Sequence, residues 1–319
     1  MSGLFAAVRG ACARVAECAR FVRVDAAGLE RWVDANRDLP QLASAPDPAH
    51  QHFGEPAATL AYVVTLDAIN FGSGWFPELR KRPGLSGYFM VATCLRDEFA
   101  RVGPFGPPEL SSIDADRCAE IFEQRGNAAV RELMELFARA MRDLGDWLSV
   151  RHGGSYARAV AAAECSAERL AESLAEMPLY RDVARYASFE VPLYKRAQLT
   201  AADLASAFGG RGCGEFHDLA QLTIFADNLV PHVLRCEGVL AYDAGLAARI
   251  DRGELLPVGS PEEVEIRAVA LHAVELAVRA LREYGVDVSA QRLDYLLWNR
   301  GQRPEIKAHP RHRTRCPYY

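Results

Sequence analysis

The stretch PEEVEIRAVALHAVELAVRALREY, residues 261–284, decides the fold class of this chain. Its apolar residues recur with the spacing of an amphipathic helix. Acidic side chains occupy the first turn and arginines the last, in the order that the helix macrodipole favours. The pattern therefore predicts one long helix over residues 261–284.

The same helical period recurs along most of the chain, and strand signals are few. Residues 62–66 include β-branched side chains but lie in an equally good helical window, and residues 254–257 fit a short extended piece. We therefore expect a mainly α fold, a single helical domain over residues 1–319, with residues 1–20 as an N-terminal helix packed on it. The other predicted helices cover residues 28–35, 87–100, 114–123, 126–150, 155–175, 199–208, 219–234 and 288–298.

The composition is that of a globular protein, since 50% of the 319 residues are hydrophobic and 25% are charged. The formal net charge of −5 provides no overall field for a nucleic-acid backbone. No apolar run is long enough to span a bilayer, and the first residues lack the basic start of a signal peptide. We therefore expect a cytoplasmic protein.

The cysteine and histidine spacings give no metal motif. The eight cysteines include no C-x-x-C pair, so we interpret them as reduced packing residues. The close pairs His50/His52 and His309/His312 lack the further ligands of a zinc site and fit loops. The glycine-rich segment 209–214 matches no phosphate-binding motif and is interpreted as a surface turn. We therefore expect no metal and no cofactor.

The segment LTIFADNLVPHVL, residues 222–234, places a carboxylate in an apolar run. Burial of Asp227 there is costly unless another group pairs with it. Pro231 has no N–H to donate to the carbonyl of Asp227, so a helix is expected to kink or end at this point. Two interpretations stay open: a functional carboxylate facing a cavity, or a residue that caps a broken helix or pairs with an arginine.

A second polar group lies in the predicted C-terminal helix. Asp294 and Trp298 share one helix face, and Tyr295 and Asn299 share the adjacent stripe. A carboxylate, an aromatic plane, a hydroxyl and an amide together suit a flat heterocycle with several N–H donors. The alternative is a helix whose aromatic face lies in the core.

Lys195 is one of only three lysines in a chain with 34 arginines (37 minus 3). A lysine that persists against this bias is a candidate for a compact point charge on a phosphate. Lys195 and Arg196 together fit either a phosphate site or a solvated helix start. Asp67 and Asn70, in apolar surroundings, are assigned a structural role, because buried polar groups must be hydrogen-bonded.

In this order along the chain, these segments resemble the queuosine salvage family, the queuosine 5′-phosphate N-glycosylase/hydrolases. The resemblance covers almost the whole chain after about residue 20, and only the first helix and the loop at 103–111 look unrelated to the pattern. Eight colinear strings are more specific than any one of them. They are LDAINFGSGW (66–75), SGYFMVATCLRDEF (86–99), YRDVARY (180–186), YKRAQL (194–199), LTIFADNLVPHVL (222–234), EVEIRA (263–268), LDYLLW (293–298) and HRTRCPYY (312–319).

The resemblance implies an all-helical fold similar in general shape to helical DNA glycosylases. It also implies hydrolysis of the N-glycosidic bond of queuosine 5′-monophosphate, which releases queuine, a 7-deazaguanine, for salvage into tRNA modification. By residue-by-residue carry-over, Asp227 is the catalytic carboxylate. The implied substrate-binding residues are His52, Lys195, Phe225, Asp294, Tyr295 and Asn299.

Two positions depart from the family pattern, and one is ambiguous. Some relatives have aspartate where this chain has Asn299, so a charged contact at that position is in doubt. Some relatives have tyrosine where it has Asn228. The spacing before the LDAIN string also differs, so that His52 is the nearer candidate for the pocket histidine and His50 the alternative.

The chemistry fits these residues independently of the family. Cleavage of a C1′–N bond builds an oxocarbenium-like sugar, which a carboxylate beneath C1′ stabilises. A 7-deaza base has no N7 to protonate, so stabilisation must come from the base edge and from the sugar side. Asp294 is expected to accept from the N1–H and the exocyclic amine, and Phe225, Tyr295 or Trp298 to stack on the ring.

The expected partner is the small-molecule substrate, with no stable nucleic-acid complex, no membrane, and a monomeric protein. Two alternative functions stay open. A base-excision DNA glycosylase conflicts with the acidic net charge. A non-catalytic queuine-binding protein would need the base pocket but no carboxylate beneath C1′.

Overall fold

The computed structural model describes residues 3–37 and 53–319, and this part of the chain is mainly helical, as the sequence predicted. The helices are α1 (Leu4–Cys18), α2 (Ala26–Asn36), α3 (Pro56–Ala68), α4 (Gly87–Val102), α5 (Pro107–Ser112), α6 (Ala115–Ile121), α7 (Arg131–His152), α8 (Tyr156–Ala161), α9 (Ala167–Leu174), α10 (Lys195–Ala207), α11 (Val230–Cys236), α12 (Ala244–Asp251), α13 (Pro261–Glu283), α14 (Ala290–Arg300) and α15 (Pro304–Lys307). The strands are β1 (Val22–Val24), β2 (Val183–Tyr186), β3 (Phe189–Pro192) and β4 (Leu240–Tyr242).

The described residues form two compact units. The first contains the described parts of residues 1–44, together with Asp182–Lys195 and Ala220–Arg315. The second contains the described parts of residues 45–181, together with Arg196–Leu219 and Cys316–Tyr319. None of the helices in the described ranges is long and apolar enough to cross a membrane.

Helix α13 forms the centre of the first unit. Its side chains are buried on nearly every face, because α1, α2, α11, α14 and β1 all pack against it. The predicted long helix over residues 261–284 is confirmed, and α1 packs against it. Helix α1 buries Phe5, Val8, Cys12 and Val15, and Arg9 forms an ion pair with Glu275 of α13.

The acidic first half of α13 is more than a complement to the helix dipole. Glu265 is fully buried, and its Oε2 accepts hydrogen bonds from the backbone N–H groups of Arg20, Phe21 and Val22 at 3.0, 2.6 and 3.0 Å. Its Oε1 accepts from the Tyr186 hydroxyl at 2.7 Å. This carboxylate therefore satisfies backbone donors at the start of β1, which pairs antiparallel with β4.

Strands β2 and β3 form an antiparallel hairpin that the sequence did not predict. The two-residue turn is Ala187-Ser188, and Ala187 has a left-handed φ of 49°. Turns of this kind usually carry asparagine or glycine, so the usual hairpin signal is missing here.

One helix prediction in this part of the chain was partly wrong, and the two possible strand segments had different outcomes. The segment 155–175 divides into α8 and α9, because Glu164 and Cys165 adopt left-handed φ values of 49° and 58°. Residues 62–66 are helical, within α3. In the segment 254–257, Leu255 forms one isolated parallel bridge with Arg313.

The core of the second unit lies around α7, which packs against α3, α5 and α6. Phe137 of α7 makes edge-to-face contacts with Phe71 and Phe122, with ring centroids 5.1 and 5.2 Å apart. Gly72 follows Phe71 with φ 102°, and a Cβ there would lie 2.5 Å from Leu133 of α7. The LDAINFGSGW string therefore forms a tight turn that only glycine fits.

Further polar contacts lie within the second unit. The carbonyl of Tyr319 accepts from the backbone N–H groups of Gly72 and Ser73 at 2.9 and 3.3 Å. Asp67 is buried and its Oδ1 lies 3.5 Å from the Asn70 amide nitrogen. These contacts support the structural role assigned to Asp67 and Asn70. The glycine-rich segment 209–214 is a mostly exposed turn with three left-handed glycines, as expected.

Candidate active site

The segment around Asp227 is not the helix that the sequence predicted. Residues 222–229 are non-helical, and α11 begins only at Val230. Pro231 lies in the first turn of α11, where its missing N–H has no helical partner to lose. The predicted helix over 219–234 was wrong for residues 222–229 and right for residues 230–234. The apolar spacing continues through the irregular segment, and Pro231 marks the start of the helix instead of interrupting it.

Asp227 is held at the beginning of α11 by two backbone hydrogen bonds. Its Oδ1 accepts from the N–H groups of Leu229 and Val230 at 2.7 and 3.0 Å. The side chain is half-buried. The carboxylate therefore caps a helix, which is one of the two interpretations of the sequence, and it is also fixed in one orientation and still reachable. The two interpretations do not exclude each other.

Asp294 lies on α14 and is buried, with 3% of its surface exposed. Its Oδ1 accepts the backbone N–H of Phe225 at 2.8 Å. The rings of Phe225 and Tyr295 are edge to face, with centroids 6.2 Å apart and an interplanar angle of 68°. One hydrogen bond and one aromatic contact therefore join the predicted base-binding residues of α14 to the segment that carries Asp227.

Electrostatics join Asp227, Asp294 and Lys195 in the same cluster. Burial, together with the negative charge of Asp227, raises the pKa of Asp294 to about 8. The Phe225 N–H and the positive charge of Lys195 act in the opposite direction. Asp227 and Lys195 thus both act electrostatically on Asp294 within the first unit.

Lys195 begins α10 and is buried, with 6% of its surface exposed. Its backbone N–H donates to Oδ2 of Asp182 at 3.2 Å, and the preceding residue, Tyr194, has a left-handed φ of 49°. The neighbouring Arg196 serves a different purpose. Its buried guanidinium donates to the backbone carbonyls of Ala68 and Pro317. The interpretation of residues 195–196 as a solvated helix start, or as a joint cationic pair, is therefore wrong.

The remaining predicted site residues lie less deeply. Asn299 is exposed on α14, and its Nδ2 donates to the carbonyl of Tyr295 at 2.9 Å, within its own helix. Trp298 is half-buried on the same helix. His52 and its alternative His50 lie outside the described residues.

Arg311 is a further candidate that the sequence analysis missed. It is partly buried, its charge acts on Asp227, and burial lowers the pKa of its guanidinium. No hydrogen bond or ion pair joins that guanidinium to another described residue. The backbone around it is fixed, because the carbonyl of His312 accepts from Nδ2 of Asn228 at 3.4 Å and that of Arg313 from the Leu256 N–H at 2.9 Å.

Only its position, directly before the HRTRCPYY string, could have pointed to Arg311. Together these residues define a mainly helical protein with an acidic, aromatic cluster and two nearby cationic side chains. No group of three or more histidine, cysteine, aspartate or glutamate residues in the described ranges is arranged to hold a metal ion.

Comparison with known proteins identifies the family. The model of the queuosine salvage protein family matches residues 49–319. A protein of Sphaerobacter thermophilus named queuosine 5′-phosphate N-glycosylase/hydrolase is 39% identical over 274 residues, 84% of each chain. Proteins of the same name from Mus musculus and Dictyostelium discoideum are 32% and 36% identical, over 83% and 82% of this chain and 83% and 78% of their own. This chain belongs to the queuosine salvage protein family.

Proposed function

We propose that this protein is an N-glycosidase that hydrolyses the bond between base and ribose in queuosine 5′-phosphate and releases queuine. The observation that carries the proposal is the hydrogen bond from the Phe225 N–H to the buried Asp294 at 2.8 Å, which joins that carboxyl to the segment carrying the half-buried Asp227. The shared name of its relatives supports the choice of substrate. The reaction needs water and no cofactor.

The role proposed for Asp227 follows from how it is held. In the hydrolysis the C1′–N9 bond breaks, the hydroxyl of a water molecule adds to C1′, and the departing base takes up a proton at N9. Positive charge develops on the sugar ring before the water adds, and a carboxylate near C1′ stabilises it. The two backbone N–H bonds to Oδ1 fix the carboxylate before the substrate arrives, so no reorientation is needed during the reaction.

The base is proposed to bind against α14. An ionised Asp294 accepts hydrogen bonds from the N1–H and the exocyclic amine of queuine, while Phe225 and Tyr295 contact the flat ring. Asn299 contributes at the edge of the site through its amide oxygen, without a charge. His52 remains a predicted contact.

The 5′-phosphate is proposed to bind at Lys195 and Arg311. Both are cationic side chains within electrostatic reach of the acidic cluster. A guanidinium withdrawn from water without a carboxylate partner is suited to an anionic ligand. The alternative for Lys195, that it only holds an aspartate ionised, is supported by its effect on Asp294 and is tested below. We further propose a monomeric cytoplasmic protein that forms no stable complex with nucleic acid.

The test of this function is the release of free base, followed by chromatography, from queuosine 5′-phosphate, queuosine and a DNA duplex. Asp227→Asn keeps the shape of the side chain but removes its charge. It should lower kcat by several orders of magnitude and leave queuine affinity within about tenfold, because a transition-state interaction is lost. Residual activity above about a tenth of wild type would contradict the assignment.

Asp243→Asn provides a matched control. Asp243 is also half-buried and also caps a helix in the same unit, since its Oδ1 accepts from the Leu246 N–H at 2.6 Å. Its loss should lower stability as much as the loss of Asp227 does, with turnover retained. Wild-type protein that binds queuine but releases none would be a carrier, and release from the duplex alone would indicate a DNA glycosylase.

A further inference from the structure

Two of the family strings, YRDVARY at 180–186 and EVEIRA at 263–268, have no assigned contact with substrate. The structure joins them through one buried ion pair. Arg267 of α13 and Asp182, directly before β2, are 1% and 2% exposed. Nη1 of Arg267 donates to Oδ1 of Asp182 at 3.0 Å, and Nη2 donates to Oδ2 at 2.5 Å. The pairing is therefore bidentate, with both carboxylate oxygens engaged.

The guanidinium also reaches the segment that carries the catalytic carboxylate. Nε of Arg267 donates to the carbonyl of Ala226 at 2.8 Å. Ala226 lies between Phe225, which donates to Asp294, and Asp227. This one hydrogen bond thus holds a non-helical segment at the residue between its two functional neighbours.

Asp182, the carboxylate of the pair, holds the backbone before and at Lys195 through hydrogen bonds. The main-chain carbonyl of Asp182 accepts from the N–H groups of Leu193 and Tyr194 at 2.9 and 3.2 Å. Its Oδ2 accepts from the Lys195 N–H at 3.2 Å. These bonds support the left-handed Tyr194, a conformation that tyrosine rarely adopts. Asp182 therefore determines where the backbone of Lys195 lies.

A buried ion pair is a poor source of stability, because the cost of removing two charges from water offsets their attraction. Here the pair also forms hydrogen bonds with two backbone segments, at Ala226 and at Lys195. Glu263 is the other acid facing the guanidinium, with Oε1 at 3.5 Å from Nη1, and its Oε2 accepts from the Gly259 N–H at 3.1 Å. The guanidinium thus faces two carboxylates, each of which also accepts a backbone N–H group.

We propose that Asp182 and Arg267 are positioning residues, which set the Ala226–Asp227 backbone and the Lys195 backbone at a fixed separation through one shared ion pair. The inference rests on the proposed function, since it assigns a catalytic use to Asp227 and a phosphate-binding use to Lys195. Neither positioning residue contacts substrate. Each acts through the backbone of the residue that does.

Arg267→Lys tests the first half of the proposal. Lysine keeps a positive charge for Asp182 but cannot donate at the same time to both carboxylate oxygens and to the Ala226 carbonyl. We expect kcat for queuosine 5′-phosphate to fall by about 10- to 100-fold, because small misplacements of a catalytic group cost this much. The dissociation constant of queuine, measured at about pH 9 where Asp294 is mostly ionised in both proteins, should change by less than about threefold, since the Phe225–Asp294 bond is retained.

Glu265→Gln is the matched control. Glu265 is as deeply buried, lies on the same helix and also bonds to the backbone of another segment, but it accepts from the N–H groups of residues 20–22. It should lower Tm and leave kcat unchanged when both variants are assayed well below their Tm. Arg267→Lys with kcat equal to that of Glu265→Gln would overturn the positioning role.

Asp182→Asn tests the second half, because it removes the charge that holds the Lys195 N–H. Its ratio of kcat/KM for queuosine 5′-phosphate to that for queuosine should fall by about tenfold, whereas Arg267→Lys should keep the ratio. An unchanged ratio in a folded Asp182→Asn protein would overturn the link to Lys195.

A readout without turnover separates this inference from the proposed function. In a titration of ¹³C-labelled carboxyl groups followed by NMR, Arg267→Lys should lower the pKa of Asp294, since the Asp227 carboxylate is free to move away. Glu265→Gln should leave that pKa in place. If the wild-type protein released no queuine, the function would fail, and the same titration would still confirm or overturn the positioning.

Discussion

Queuine binding is expected to release a proton from Asp294. In the free protein, burial and the charge of Asp227 raise the pKa of this carboxyl to about 8, so it is about 90% protonated at pH 7. Only the ionised form can accept from both the N1–H and the exocyclic amine of the base. Binding at pH 7 should therefore release about 0.9 proton per queuine from this group, and much less above pH 9.

The same linkage sets the pH dependence of affinity. The ionised fraction of Asp294 increases about tenfold from pH 6 to pH 7 and about fivefold from pH 7 to pH 8, so the dissociation constant should fall by these factors. Isothermal titration calorimetry in buffers of different ionisation enthalpy measures both the affinity and the proton release. Asp294→Asn, which keeps an acceptor for the Phe225 N–H, should bind weakly and lose the contribution of this group to the pH dependence.

Stability provides an independent check with a defined sign. The pKa of Asp294 in the folded protein lies above its ordinary value of 3.8. Between about pH 4 and pH 8 the folded state therefore keeps the proton of this carboxyl, whereas the unfolded state has lost it. The contribution of Asp294 to the free energy of unfolding therefore falls as pH rises through this window. Asp294→Asn should exceed wild type in Tm by more at pH 8 than at pH 5. An affinity that does not change between pH 6 and pH 8.5 would mean that the neutral acid binds the base, and the reasoning would be refuted.

Two further predictions concern the phosphate. Lys195→Met should lower kcat/KM for queuosine 5′-phosphate by about one to two decades and that for queuosine much less, whereas an equal loss for both substrates would show that the lysine only keeps a neighbouring aspartate ionised. Arg311→Met should show the same selective loss, measured on the same two substrates, with no fall in Tm because its guanidinium has no ion-pair partner among the described residues. A lower Tm with unchanged selectivity would assign Arg311 a structural role instead.

Much of the helical framework could be predicted from sequence, because buried helices with a strong period need little context. The central helix α13 is the clearest case, and α14 lies within two residues of the predicted helix over 288–298. The helix predicted around Asp227 was wrong for a physical reason. The segment has an irregular backbone, but its apolar side chains fill the core of the first unit, so its sequence has the same apolar pattern as a buried helix. Pro231 is the one signal of where the helix begins.

The site could be predicted only in part for a similar reason. Asp227 and Asp294 each stand out as carboxylates in apolar surroundings, and this much is a local property. Arg311 does not stand out, since the sequence contains many arginines and its isolation is visible only in three dimensions. The ion pair of Asp182 and Arg267 joins segments far apart in the chain, and the acidic turn of α13 was interpreted through its helix dipole alone.

The packing of α1 against α13 has a consequence for synthesis of the protein on the ribosome. The two helices are separated by about 240 residues, which at ~5–20 residues per second delays the arrival of α13 by about 12–50 s. During that interval the apolar face of α1, with Phe5, Val8, Cys12 and Val15, lacks the helix that makes most of the contacts with it. Helix α1 therefore resembles a chaperone substrate during that interval, and the first unit can fold only after α13 has emerged from the ribosome.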